Sequence, residues 1–253
     1  MKSNIAVIAG TSEATELIEE LENEFFITAF VATDEGRKIL KDRNCKVSTG
    51  RKNRDEFECI LSDFNIVIDA SHPFATEVTQ NVKSVCEQLN ICYLRLGRPH
   101  TEYKYKKILY ADNKEEVAEM LNNTNGNILF LTGSNTADFY KKHIKNFEQR
   151  ALIRVLDTDY SRNVVKEINE SNVVFGNPPF SALDNLKLIK QHNISVVVSK
   201  DSGQRGGIAE KVSACEKFGI PLILIRSPEN ITECSVKEIA EKVRSIADVT
   251  SNA

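Results

Sequence analysis

The 253-residue sequence contains no tryptophan, and its acidic and basic residues nearly cancel. There are 33 lysines and arginines against 36 aspartates and glutamates, which gives a formal net charge of −3. Nucleic acids and charged membranes are bound through strongly basic surfaces, and single strands also stack on aromatic side chains. The composition therefore argues against a general nucleic-acid-binding protein and against a protein that binds membrane surfaces by charge.

Long hydrophobic runs and paired cysteines are also missing. No stretch approaches the roughly 18 apolar residues of a membrane span, and the N-terminus has no signal-peptide pattern, so we expect a cytoplasmic protein. No two cysteines form a C-x-x-C pair, and we expect reduced thiols in the core rather than disulfides or a metal site. The six cysteines are Cys45, Cys59, Cys86, Cys92, Cys215 and Cys234.

Short apolar, β-branched runs alternate with amphipathic stretches along the whole chain. This order is typical of parallel strands joined by crossover helices. Five strands are predicted in the first half, near residues 5–9, 26–32, 46–48, 66–68 and 91–94. A weak strand and a helix follow within 108–121, and five more strands are predicted near 128–131, 151–156, 173–175, 195–198 and 221–225.

This pattern predicts an α/β protein with two Rossmann-like domains, each with a parallel sheet, and a ligand cleft between them. We place the first domain at residues 1–125 and the second at 126–253, with the boundary within about 99–126, where a polar stretch and a turn-rich segment interrupt the pattern. Open parallel sheets bind ligands at the carboxyl ends of their strands. The residues that directly follow each strand are therefore the candidates for a functional site.

The loops of the first half suit a dinucleotide. After the first strand, Gly10 allows close approach of a ligand, and the following hydroxyl residues begin a helix whose amides attract phosphate. The loop lacks the full G-x-G-x-x-G pattern, and an ordinary capped turn is the alternative. After the second strand, acidic residues suit a ribose hydroxyl and Arg37 suits a 2′-phosphate, so NADH and NADPH both stay open. The candidate cofactor-binding residues are Gly10, Thr11, Ser12, Glu13, Ala14, Thr33, Arg37, Gly50, Arg51, Ser71, His72 and Pro73.

Proton-active side chains follow the fourth strand. Asp69, Ser71 and His72 come within four residues, and Pro73 is predicted to open the next helix. We expect His72 to face a ligand, although a structural histidine is the alternative. At the end of the next strand, Arg95 requires either a bound anion or an internal salt bridge.

The segment that follows the strand near 195–198 is the most specific feature of the second half. Lys200 and Asp201 directly follow apolar strand residues, and glycines and further cations come next, as in an anion-binding loop that can also donate a proton. The candidate catalytic residues are His72, Lys200 and Asp201. The candidate substrate-binding residues are Arg95, Arg98, Thr132, Ser134, Ser199, Lys200, Ser202, Gly203, Gly206, Gly207 and Lys211.

The order of these motifs resembles that of the precorrin-6A reductases of cobalamin biosynthesis. The resemblance covers nearly the whole chain and is most specific in Asp69–Ala75, D-A-S-H-P-F-A, and in Ser199–Lys211, S-K-D-S-G-x-x-G-G-x-x-x-K. Two positions depart from the family pattern. Ala9 stands where the family usually has a glycine, and Ser227 separates an arginine and a proline that are usually adjacent.

The resemblance implies an enzyme that uses NADPH or NADH to saturate one double bond of precorrin-6A, or of its cobalt form, giving the corresponding precorrin-6B. Its substrate would be a tetrapyrrole rich in carboxylates, which suits scattered arginines and lysines. The proton would come from His72, Lys200, Asp201 or an ordered water. Two alternatives stay open: a dinucleotide- or tetrapyrrole-binding protein without turnover, and a methyltransferase that uses S-adenosylmethionine.

Overall fold

A computed structural model of the chain describes residues 3–97, 102–228 and 235–251. Arg98, an expected substrate-binding residue, and Cys234 lie outside the described residues. The chain forms two compact units. Unit 1 consists of Met1–His100 and Glu229–Ala253, and unit 2 is the continuous segment Thr101–Pro228.

Strands and helices alternate along both units, and all eleven predicted strands are confirmed. The strands are β1 (Asn4–Ala9), β2 (Phe26–Val31), β3 (Lys46–Thr49), β4 (Ile66–Ala70), β5 (Cys92–Arg95), β6 (Ile108–Ala111), β7 (Asn127–Leu131), β8 (Ala151–Leu156), β9 (Val173–Gly176), β10 (Ile194–Lys200) and β11 (Leu222–Ile225). The helices are α1 (Ser12–Leu21), α2 (Asp34–Ile39), α3 (Arg54–Leu61), α4 (Thr76–Leu89), α5 (Lys114–Asn122), α6 (Ala137–His143), α7 (Phe147–Arg150), α8 (Asp159–Val164), α9 (Ala182–Gln191), α10 (Ile208–Phe218) and α11 (Val236–Ser251).

Unit 1 is a five-stranded sheet in the order β3-β2-β1-β4-β5, and every pair of neighbours is parallel. Helices cover both faces, so a central strand such as β4 is buried along its whole length. Leu17 and Leu21 of α1 pack on one face, and Phe57 of α3 and Val82 of α4 pack on the other. The chain reverses direction across the sheet between β1 and β4, so the loops after these two strands diverge and leave room for a ligand.

Unit 2 is a six-stranded parallel sheet in the order β6-β11-β10-β7-β8-β9. The chain runs outward from β7 through β8 to β9, and it then returns to β10 on the opposite side of β7. The loops after β7 and β10 therefore diverge at the switch point of this sheet, as the loops after β1 and β4 do in unit 1.

The units differ from the sequence-based domains, 1–125 and 126–253, in one major respect. Their first boundary lies within the expected range of 99–126, because β6 pairs with β11 and belongs to unit 2. The C-terminal segment, however, belongs to unit 1: α11 packs against α1, and Arg244 Nη2 lies 2.9 Å from Glu20 Oε1 and 2.6 Å from Glu24 Oε1. An amphipathic helix shows which of its own faces is apolar, but it does not show which sheet it covers.

The return of α11 to unit 1 makes a testable prediction about stability. Ile239 of α11 is 1% exposed and belongs to the same apolar cluster as α1 and β1. Ile239→Val removes one buried methyl group, so we expect the free energy of unfolding to fall by about 1 kcal/mol. Hydrogen exchange followed by mass spectrometry is expected to show faster exchange in β1 and no change in β10. Lys237→Ala, at an exposed position of the same helix, is the control, and equal acceleration in β10 would contradict the assignment.

The expected burial of the cysteines holds at some positions only. Cys86 and Cys215 are buried, and burial raises the pKa of each thiol to about 12, so both stay protonated at neutral pH. Cys45 and Cys92 are partly buried, whereas Cys59 is exposed on α3, contrary to the expectation of a core thiol. Its helix turns this position toward solvent while Phe57 and Leu61 face the sheet.

Among the described residues, no cluster of three or more histidine, cysteine, aspartate and glutamate side chains is arranged to hold a metal ion. Within the same ranges, no helix is both long enough and apolar enough to cross a membrane.

Candidate active site

The loops after β1 and β4 meet at the switch point of unit 1. A Cβ atom added to Gly10 would lie 3.3 Å from the backbone nitrogen of His72 and 3.4 Å from Cα of Ser71. The first distance is closer than most side chains tolerate, so glycine is what allows the two loops to approach. The structure thus brings together the loop of Gly10 and the loop of Ser71 and His72, which the sequence analysis assigned to the cofactor.

Thr11 joins these two loops and also caps the helix. Its hydroxyl donates to the backbone oxygen of Ala70 at 3.1 Å, and it accepts a hydrogen bond from the backbone N–H of Ala14 at 3.3 Å. The capped turn considered as an alternative is therefore present. Next to it, Ser12 Oγ donates to Glu13 Oε2 at 3.1 Å, and Glu13 is buried. A carboxylate in the first turn of α1 suits a hydroxyl donor better than a phosphate.

Asp69 organises the end of β4 from a fully buried position. Its Oδ1 accepts from the backbone N–H of Ser71 at 3.0 Å. Its Oδ2 accepts from the hydroxyls of Thr79, at 2.7 Å, and Tyr93, at 3.0 Å. Because bonds from α4, β5 and the loop itself converge on one carboxylate, the backbone of Ser71 is held in a fixed position beside Gly10.

Arg95 pairs with Asp69 from the neighbouring strand. Its Nη1 lies 3.3 Å from Asp69 Oδ1 and also donates to the backbone oxygens of Asp69, at 2.8 Å, and Ser71, at 3.1 Å. These contacts are the internal salt bridge that the sequence left as an alternative to substrate binding. In this arrangement Arg95 neutralises a buried carboxylate and fixes the turn that carries His72.

His72 is half-buried, and its Nδ1 accepts from the backbone N–H of Phe74 at 3.2 Å. This bond favours the neutral tautomer in which Nε2 carries the proton. The prediction that Pro73 opens the next helix is wrong, because α4 begins at Thr76 and Ala75 is its N-cap. Pro73 instead lies in a turn that is closed by a 2.8 Å hydrogen bond from Ala75 N–H to the backbone oxygen of His72. The fixed φ angle of proline suits such a turn as well as it suits the first turn of a helix.

The remaining cofactor candidates lie after β2 and β3, on the other side of β1. Thr33 caps α2 by accepting from Gly36 N–H at 3.2 Å, and Arg37 is exposed on the same helix. Gly50 has a φ angle of +110°, a region that favours glycine, and Arg51 is exposed beside it. These residues therefore lie along the carboxyl edge of the sheet, as predicted, but not in the cluster around Gly10.

The candidate substrate residues of unit 2 lie after β7, at the end of β10 and in the segment that follows β10. Thr132 and Ser134 are buried after β7, and the Thr132 hydroxyl is hydrogen-bonded to that of Thr136 at 2.8 Å. Ser199 pairs in register with Leu131 of the neighbouring strand and is fully buried. Its hydroxyl donates to the Lys200 backbone oxygen at 3.3 Å, so it stabilises the loop from within.

The last residue of β10 and the first residue of the loop after it are two of the predicted catalytic residues, Lys200 and Asp201. Lys200 is half-buried, and burial lowers the pKa of its ammonium group from the ordinary value of a lysine. Asp201 is buried, and its backbone N–H donates to the backbone oxygen of Ile225 at 2.8 Å. Its Oδ1 accepts a hydrogen bond from the hydroxyl of Tyr103 at 3.4 Å. Ser202 is buried beside it. Tyr103 is not among the predicted residues, because it lies in the polar stretch between β5 and β6 and does not directly follow a strand.

Glycines shape the rest of this loop. Gly203 and Gly207 both have φ angles of +71°, and the Gly206 N–H donates to the Gly203 oxygen at 2.9 Å. Lys211 lies in the first turn of α10, and its Nζ donates to the Gly206 oxygen at 3.0 Å. The structure therefore places Lys211 against the glycine turn and beside α10.

The comparisons with known proteins agree over almost the whole chain. The family described as precorrin-6x reductase CbiJ/CobK matches residues 4–250. The cobalt-precorrin-6A reductase of Methanococcus maripaludis is 31% identical over 97% of this chain and 100% of its own length, and that of Priestia megaterium is 28% identical over 89% and 91%. A solved structure of CobK precorrin-6A reductase has the same fold, with a TM-score of 0.77, 19% identity and coverage of 96% and 97%. The chain is thus a member of the CbiJ/CobK family of precorrin-6x reductases.

Proposed function

We propose that this protein reduces one double bond of cobalt-precorrin-6A with NADPH or NADH. The observation that carries the proposal is the family match across residues 4–250, which includes both switch-point loops. The cobalt form is proposed because the relatives from Methanococcus maripaludis and Priestia megaterium carry that substrate in their names.

We assign the reduced dinucleotide to the loops of unit 1. The close approach that Gly10 permits supports this assignment, because a side chain there would fill the space beside His72. Glu13 would accept a hydrogen bond from a ribose hydroxyl, and Arg37 would pair with a 2′-phosphate when NADPH is bound. The bound nicotinamide supplies the hydride.

We assign the proton to Lys200. Burial lowers the pKa of its ammonium group and so makes it a better acid than an exposed lysine. The Nδ1 of His72 already accepts a backbone hydrogen bond, which favours a neutral ring. In this proposal His72 instead positions the cofactor through its Nε2–H, and Asp201 positions the loop through Tyr103.

An anaerobic assay of nicotinamide oxidation tests the proposed function. Precorrin-6A and cobalt-precorrin-6A are each supplied with NADPH and with NADH, and the macrocycle product is identified by mass spectrometry. We expect oxidation that depends on the macrocycle and a product heavier by two hydrogens. No oxidation in any of the four combinations would refute the proposal and would favour a binding protein without turnover.

Gly10→Ala is expected to raise the KM for the nicotinamide cofactor about tenfold. The added Cβ would lie 3.3 Å from the His72 nitrogen, so the loops must separate before the cofactor can bind, at a cost of about 1.4 kcal/mol. The KM for the tetrapyrrole is expected to change less than twofold. Gly219→Asn, at the left-handed C-cap of α10, is the control. Unchanged cofactor KM in a folded Gly10→Ala variant would contradict the assignment.

A further inference from the structure

Arg154 is buried in unit 2 and Lys211 is partly buried there, and neither forms an ion pair with a carboxylate among the described residues. Arg154 of β8 is 7% exposed; its Nη1 donates to Asn185 Oδ1 at 2.9 Å, and its guanidinium stacks 3.7 Å from the ring centre of Phe180. Within the part of the chain that the structure describes, Lys211 donates only to the Gly206 oxygen. Buried charges are normally paired, so both residues require an explanation.

The electrostatics of this cluster are unfavourable as it stands. Burial lowers the pKa of Arg154 to about 10. Burial also lowers the pKa of Lys211 to about 8, and the positive charge of Arg154 contributes to that shift. Two like charges that are poorly hydrated and close enough to repel each other are stabilised when an anion lies between them.

Asn185 supplies a third, independent observation. It is 1% exposed, and its Nδ2 has no hydrogen-bond partner among the described residues. Because Arg154 fixes its Oδ1, the carboxamide keeps its N–H groups beside the guanidinium as donors. A buried amide donor that no protein group satisfies is uncommon in native structures.

The carboxylates near the cluster do not satisfy these donors. Asp184 is partly exposed and accepts from the backbone N–H and the hydroxyl of Ser181, at 2.9 and 2.7 Å, as part of the cap of α9. Glu210 raises the pKa of Lys211, but this is the smallest of the three effects on that group, and its buried Oε2 accepts no hydrogen bond from the described residues. Among the residues that the structure describes, no side chain caps the N-terminus of α10. The N–H groups of Asn185 Nδ2 therefore have no acceptor among the described residues.

We propose that Arg154, Asn185 and Lys211 bind one carboxylate group of the tetrapyrrole substrate. This inference rests on the proposed function, because that substrate is rich in carboxylates. A guanidinium and a neighbouring amide present the parallel N–H groups that a planar carboxylate accepts. A phosphate has similar chemistry, and the 2′-phosphate of NADPH is the competing source.

The kinetic test separates these two sources. Arg154→Met and Lys211→Met are each expected to raise the KM for cobalt-precorrin-6A about tenfold, with kcat within about threefold of wild type and with unchanged KM values for NADPH and NADH. Arg154→Lys keeps the charge but loses the planar fork, so an increase of about fourfold is expected. Lys187→Met removes an exposed cation of α9 and is the matched control.

Each other kinetic outcome overturns the proposal. A raised KM for NADPH alone would assign the cluster to the 2′-phosphate. Unchanged KM values for all three ligands in variants that fold normally would give Arg154 and Lys211 a purely structural role.

A second measurement does not depend on turnover. The pKa of Lys211 is followed by ¹³C NMR of labelled lysines, assigned with Lys211→Arg, in the presence of succinate or inorganic phosphate. We expect succinate to raise this pKa in the wild type and not in Arg154→Met. The carboxylate site would be refuted if phosphate alone raised this pKa, or if neither anion raised it. A rise with succinate in a protein that oxidises no nicotinamide would refute the proposed reductase and leave the anion site standing.

Discussion

Replacing Lys200 with methionine is expected to lower kcat about 100-fold while the KM for the nicotinamide cofactor stays within about threefold. Lys200 ends β10 at the switch point of unit 2, and burial lowers the pKa of its ammonium group. A positioned acid contributes at least this much to a step that needs a proton. Single-turnover measurements at saturating substrate would separate the chemical step from binding and product release.

The pH dependence provides the sharper test of Lys200. The protonated ammonium is the active form, so kcat is expected to fall as pH rises through its pKa, and this pKa lies below the ordinary value for lysine. Lys200→Arg keeps the positive charge but does not release a proton in this range, so the alkaline limb is expected to disappear and kcat to stay low.

Two comparisons complete this test. His72→Ala is expected to lower kcat less than about tenfold and mainly to raise the cofactor KM, and Lys190→Met, an exposed lysine of α9, serves as the control. Wild-type turnover in Lys200→Met would show that Lys200 is not the proton donor, and that ordered water or another side chain supplies the proton.

Asp69→Ala is expected to lower the free energy of unfolding by about 3 to 5 kcal/mol, because it leaves the buried end of Arg95 without its carboxylate. It also removes the acceptor that holds the backbone of Ser71, so we expect the cofactor KM to rise in any protein that still folds. Urea denaturation at neutral pH measures the first effect, and steady-state kinetics measures the second.

A double variant identifies the cause of this destabilisation. In Asp69→Ala/Arg95→Met the buried charge is gone, so part of the lost stability is expected to return. Glu24→Ala, at the more exposed ion pair with Arg244, is expected to cost about 0 to 1 kcal/mol. If Asp69→Ala cost no more than Glu24→Ala, Asp69 would not be the organising residue of the β4 loop.

The sequence predicts the strands well because each one is a short apolar run bounded by polar turns. The strand β8, for example, was placed at 151–156 and occupies Ala151–Leu156. The sequence also predicted that Gly10 and His72 follow strands of one sheet. It could not show that they touch, since that contact depends on β1 lying next to β4, and neither strand encodes its neighbour in its own pattern.

The packing of strands and helices also explains why the sequence did not decide the role of Arg95 and did not indicate Asn185. Arg95 has the same local sequence whether it binds an anion or pairs with Asp69, and only the register of β4 and β5 distinguishes these roles. The sequence gives no signal for Asn185, because its contact with Arg154 depends on how α9 packs against β8. The single sequence signal for this cluster is the arginine inside the apolar run of β8, because a charge there requires a partner.

The placement of α11 has a consequence for the order in which the protein folds during synthesis. Unit 2 is one uninterrupted segment, so all of its strands have left the ribosome while the C-terminal helix is still inside it. The sheet of unit 1 is translated first, yet the part of its apolar cluster that packs against α11 stays uncovered until Ile239, Ala240 and Val243 emerge. The unit that begins the chain is therefore completed last, and a nascent chain stalled before residue 236 would expose this surface to chaperones.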